Sequence, residues 1–165
     1  MNMKKMIFLL AFVTAGIAQL NAQSLFKTVY DNAIAVVNNS DSSDERIQIH
    51  QFEVTVLNYM QTQVQKRDLK KDDYFFDSQA VNLKSFVDDF LFYLNKARMT
   101  APAKRADVIN CYREASLKNP LFNDLDKERT MCYVNDTKTY TPFSLDTDWE
   151  KAYDQASSQI RSILR

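Results

Sequence analysis

The sequence predicts a mainly α-helical fold: one compact domain of five helices, with a small β-hairpin before the last. Three observations lead there. The only glycine among 165 residues is Gly16, so beyond it any backbone position with positive φ must be filled by Asn or Asp, or avoided. Long segments carry apolar residues at helical intervals. Ser, Asp or Thr opens three of those segments, where a side-chain oxygen can cap the first turn.

Residues 1–22 stand apart from that domain. Lys4 and Lys5 precede an almost wholly apolar run over residues 6–18, and Ala22 closes the stretch with the small residue that signal peptidase requires. This is the order of a secretory signal peptide, and the run is short of the roughly 20 residues of a membrane-spanning helix. Cleavage after Ala22 would leave residues 23–165 as a single helical domain, large enough for one core. No later apolar run is long enough to anchor it in a membrane, and no cysteine near the cleavage point invites lipidation. The expected location is the periplasm or beyond the cell.

Ser24 caps the first predicted helix, where Leu25, Phe26, Val29, Tyr30, Ala33, Ile34 and Val37 form an apolar stripe. Residues 38–44 are all polar and read as a loop. The second helix is expected from Glu45 to about Lys66, with Ile49, Phe52, Val56, Met60 and Val64 on one side. Phe52, Val54 and Val56 also alternate as a strand would, but length and missing turn signals favour helix. A charged connection over residues 66–73 leads to the third helix, with Asp77 or Ser78 as its cap and Phe76 stapled to Val81. Leu83, Phe86, Val87, Phe90, Leu91, Leu94 and Ala97 make its core face, each large side chain contributing roughly 1.5–3 kcal/mol when fully buried.

Pro102 marks a break before a fourth helix over residues 103–118, which Asn119 and Pro120 end. Residues 131–134 and 139–143 then read as two short strands around a polar turn, with Pro142 confining the second to an edge. Thr147 and Glu150 fit a capping box for the last helix, lined by Trp149, Ala152, Tyr153, Ala156, Ile160 and Ile163.

The tail is distinctive: Lys-Asn-Pro-Leu-Phe-Asn-Asp at 118–124, Tyr-Val-Asn at 133–135 and Phe-Ser-Leu-Asp-Thr-Asp-Trp at 143–149. With His-Gln-Phe-Glu-Val-Thr-Val-Leu-Asn-Tyr-Met at 50–60, it resembles small exported proteins of Gram-negative gut and oral bacteria. That resemblance covers most of the chain after residue 22. It implies an all-helical exported domain and brings no catalytic residue with it.

Several groups are candidates for chemistry. Cys111 and Cys132, an even pair in an exported chain, suggest a disulfide tying the fourth helix to the hairpin. Its closed loop of about 22 residues is worth roughly 3 kcal/mol in the chain-entropy model. The alternatives are two buried free thiols, or a cysteine nucleophile served by His50, which has no identifiable orienting partner. His50 is the only histidine, and nothing nearby has zinc-site spacing. Asp124, Asp126 and Glu128 alternate like the start of a calcium loop but lack its turn glycine and distant bidentate Glu. Asp88 and Asp89 are adjacent on a helix and so point about 100° apart, which suits a polar face better than an acid–base pair. Tyr74, Phe75, Phe76 and Tyr140 fit core positions better than an exposed aromatic platform for a glycan or peptide.

Composition excludes more than it assigns. After cleavage the chain carries 19 basic and 21 acidic residues, without the basic excess of nucleic-acid binders. Glycine-dependent phosphate loops and the Gly-x-Ser-x-Gly nucleophile turn are ruled out beyond residue 22. The expected function is therefore a non-enzymatic binding domain in the cell envelope or outside the cell, with a protein or glycan partner. No catalytic residue, cofactor or metal is expected. A small carboxylate-dependent envelope hydrolase using Asp88, Asp89 or the acidic loop is the alternative, followed by an accessory subunit of a surface complex.

Overall fold

The computed structural model describes residues 24–163, so the expected signal peptide over residues 1–22 lies outside the described residues. The fold is mainly helical, as expected. α1 (Leu25–Val37) is opened by Ser24, whose hydroxyl accepts the Lys27 N–H. α2 (Asp44–Lys66) is opened by Ser43, which accepts the Arg46 N–H. Helix prevails over the alternating pattern of Phe52, Val54 and Val56 because Phe52, Val56, Tyr59 and Gln63, at helical intervals, are all buried together.

α3 (Asp73–Thr100) begins earlier than expected, because Asp72 caps it by accepting the Phe75 N–H. Asp77 is thereby released for another helix: its Oδ1 accepts the Phe26 N–H of α1 at 2.8 Å. Phe76 packs edge-on against Phe26 with ring centroids 5.5 Å apart, while Val81, its expected staple partner, stays at the surface. A 3₁₀ turn (Pro102–Lys104) leads into α4 (Arg105–Lys118).

The expected β-hairpin does not form; among the described residues there is no strand. Residues 127–135 wind into two single turns, α5 (Lys127–Thr130) and α6 (Cys132–Asn135). Asp126 Oδ1 accepts the Arg129 N–H at 3.0 Å, and the Thr130 and Asn135 amides close onto the carbonyls of Asp126 and Met131. These local bonds take up donors that a ladder would need. Residues 141–148 then run as a buried strap whose polar groups are met from elsewhere. Ser144 N–H donates to Ser116 Oγ at 2.9 Å, Leu145 N–H to Thr130 O at 2.9 Å, and Asp148 N–H to Asn119 O at 2.7 Å.

α7 (Trp149–Ile163) follows. Its cap is Asp148, which accepts the Lys151 N–H, and not Thr147, whose hydroxyl turns inward to Ser116 and the Ser144 carbonyl. Glu150 accepts instead from Ser78 Oγ at 3.0 Å. One turn of α3 therefore holds the starts of two other helices: Asp77 receives α1, Ser78 meets Glu150, and Gln79 Oε1 accepts the Trp149 N–H at 2.8 Å.

α3 is the central element, packed against α1, α4 and α7, while α2 pairs with α1 and α4 with α7. The strap fills the core with Phe143, whose ring lies 4.9 Å from Phe90, 5.0 Å from Phe86 and 5.9 Å from Phe52. Trp149 and Tyr112 complete this aromatic cluster against Phe86. Among the described residues Asp68 and Asn123 have positive φ, both at 52°, as expected where the sequence beyond Gly16 offers no glycine.

Candidate functional site

Three places in the fold carry unusual side chains. The first is built by the tail motif. Asp146, buried in the strap, uses both carboxylate oxygens on backbone amides, accepting Phe122 N–H and Asp124 N–H at 2.7 Å each. Asp124 in turn accepts from the Tyr59 hydroxyl at 3.0 Å and Gln63 Nε2 at 2.9 Å. Arg67 donates to the Phe122 carbonyl at 2.6 Å and lies over the Phe122 ring. Burial opposes the Asp124 charge, yet the Asp126 amide, the Tyr59 hydroxyl and the Arg67 and Arg129 guanidinium groups hold its carboxyl below the ordinary carboxylate value. The Tyr59 phenol moves the other way, pushed up by burial and by the Asp146 and Asp124 charges. A cavity of about 200 Å³ opens beside this knot, with Ser144, Asp146, Asn123 and Lys127 in its wall. That is below the roughly 300–1,000 Å³ of small-molecule sites, and the Asp146 oxygens already have partners. The knot is a clasp joining α2, the 119–126 loop and the strap.

The second place is on α2. His50 Nδ1 donates to Glu53 Oε2 at 2.7 Å, one turn apart. The Glu53 side chain is only 3% exposed, and its Oε1 has no hydrogen-bond partner among the described residues. His50 thus has the orienting carboxylate that sequence reasoning did not find. The i, i+3 spacing was the available signal.

The third place is the outer face of α3. Tyr74, Val81, Phe92 and Met99 are 78%, 39%, 60% and 83% exposed. Their separations of 7, 11 and 7 residues are close to whole numbers of helical turns, so they form one stripe along the helix. Ser85 and Asp88 occupy its middle, and Lys84 pairs with Asp88 beside it.

The other expected sites disperse. Cys111 and Cys132 are separate free thiols, which corrects the expected disulfide. Cys111 is buried and its Sγ reaches the α7 carbonyl of Ala156 at 3.9 Å, while Cys132 stands on the exposed turn α6. Asp88 is tied to Lys84, and Asp89 lies a third of a turn away. Asp124 points into the clasp, Asp126 caps α5 and Glu128 is exposed. Among the described residues no group of three His, Cys, Asp or Glu side chains could hold a metal ion. Phe75 and Phe76 pack onto the core, leaving Tyr74 exposed. No described helix is long and apolar enough to cross a membrane. No family model, curated protein or solved structure matches this chain.

Proposed function

We propose that the chain is an exported, non-enzymatic binding domain that meets a protein partner through the outer face of α3. The single observation that carries the binding half is the Tyr74, Val81, Phe92 and Met99 stripe, exposed on the longest helix of the fold. Aromatic residues and Met are enriched where proteins meet, and four exposed apolar side chains gathered on one helix face are the kind of feature that marks an interaction site. The charge–apolar–small order of residues 1–22 supports export. The carboxylates of Asp77, Asp126, Asp146 and Asp148 are occupied with backbone amides, which is structural work.

Hydroxyl-radical footprinting tests this. Tyr74, Phe92 and Met99 should be protected in the envelope fraction of the source cell and labelled in dilute purified protein. Equal labelling in both would overturn the reading.

A hydrolase has one observation in its favour, the buried Glu53 behind His50. It requires an activity on an envelope polymer that His50→Gln and Glu53→Gln both abolish while the melting transition persists. An activity insensitive to either change would sink it.

A further inference from the structure

We propose that the stripe on α3 pairs with the same stripe of a second copy, the two helices antiparallel about a two-fold axis through their middle. This rests on the reading of α3 as a binding face and names its partner. The geometry of the stripe is self-complementary. Its 7, 11, 7 spacing reads the same from either end, so turning one copy end over end sets Tyr74 against the partner's Met99 and Val81 against the partner's Phe92. Such self-complementarity is what an isologous two-fold interface needs.

The charges select the same arrangement. Asp73, Lys84 and Arg98 lie along one flank of the stripe, at helical angles within roughly a third of a turn of it, and Asp88 lies at its edge on the same side. In the antiparallel register Asp73 comes beside the partner's Arg98, and Lys84 beside the partner's Asp88, each contact occurring twice. A parallel pair in register would set Asp88, nearest the seam, beside its own copy and repel, and would carry the other three charges to opposite sides of the interface, away from these partners. Lys84 and Asp88 already pair within the helix, but with Lys on the N-terminal side, the weaker orientation for an i, i+4 pair. Ser85, at the centre, is small enough to let the helices approach.

Area sets the strength. Twenty-eight residues at 1.5 Å rise make a helix about 42 Å long, and a strip about 10 Å wide along it removes roughly 800 Å² from water over both copies. This lies in the range of weak, transient complexes, so the dimer forms at micromolar concentration, on the order of 10–100 µM.

Sedimentation equilibrium on the purified protein should show a monomer–dimer exchange in that range. Phe92→Asp should weaken it by more than ~100-fold. Lys84→Asp and Asp88→Lys should each weaken it about tenfold, and their combination should restore it to within about threefold. In a Cys132→Ser background, Tyr74→Cys mixed with Met99→Cys should form a disulfide-linked dimer, while Tyr74→Cys alone should not. A chain that stays monomeric at ~1 mM, an unaffected Phe92→Asp variant, or a Tyr74→Cys variant that links to itself would each overturn the antiparallel pair. A monomer whose stripe is still protected in the envelope fraction refutes self-pairing alone and leaves partner binding standing. A monomer whose stripe is unprotected there refutes both.

Discussion

Cys132 on its exposed turn and Cys111 beneath α7 differ in access. Burial pushes both thiols up, with the nearby Glu114 charge adding to it at Cys111, so access decides which one reacts. Iodoacetamide without prior reduction should therefore modify one thiol per folded chain, at Cys132, and the second only on unfolding. Peptide mass mapping checks this, and two unreactive thiols would restore the disulfide. Asn123 carries a left-handed backbone at the edge of the clasp. Asn123→Ala should cost about 1 kcal/mol in urea unfolding, whereas Asn123→Gly should be close to neutral. The absence of glycine foretold that Asn or Asp would take such positions. It could not single out Asp68 and Asn123, because left-handed turns are set by how the loop returns to the core.

α3 shows how far local signals reach. Its core face and the ends of its neighbours were legible from helical periodicity and from Pro102 and Pro120. Its cap was not, because Asp72, Asp73, Asp77 and Ser78 are all competent and a sequence does not distinguish a residue capping its own helix from one capping another. Asp77→Ala should accordingly leave α3 intact and fray α1. Hydrogen exchange should accelerate at the amides of residues 26–29, with a loss of about 1 kcal/mol in global stability. Fraying at residues 73–76 instead would return Asp77 to its own helix. The hairpin was misread for a related reason. Met131 to Val134 is a short apolar run that fits either element; Asp126 caps the turn that leads into it, and Ser116 on a distant helix takes the Ser144 amide at the end of the expected second strand. Of the three candidate places, the stripe of α3 was not anticipated, because Tyr74 was expected in the core and Val81 in a staple, and spacing does not say which apolar residues a helix leaves exposed. The His50–Glu53 pair was readable from its i, i+3 positions. The clasp was visible as an unusual tail but not as a set of bonds.

At the scale of the whole molecule, acid should be the sensitive direction. Burial opposes the charge of Asp148, but hydrogen bonds from Lys151 and Gln79 overcome it and hold its carboxyl below the ordinary value, as at Asp124. Carboxyls depressed by folding add stability above the unfolded value of 3.8. That contribution is lost as pH falls through the lower folded values. Stability should thus be level between about pH 5 and 7 and decline below about pH 4, and Asp124→Asn with Asp148→Asn should flatten the decline. A steeper acid limb in the double variant would reverse the argument. The turn at Asp77, Ser78 and Gln79 has a further consequence, for the order in which the chain can set. A ribosome delivers α1 first, yet the Phe26 amide finds its acceptor only after Asp77 has emerged, 51 positions later. Gln79 then waits another 70 for Trp149. Phe143, whose ring plugs the centre of the molecule, also arrives late. A nascent chain can therefore complete this set of contacts only once its last helix exists.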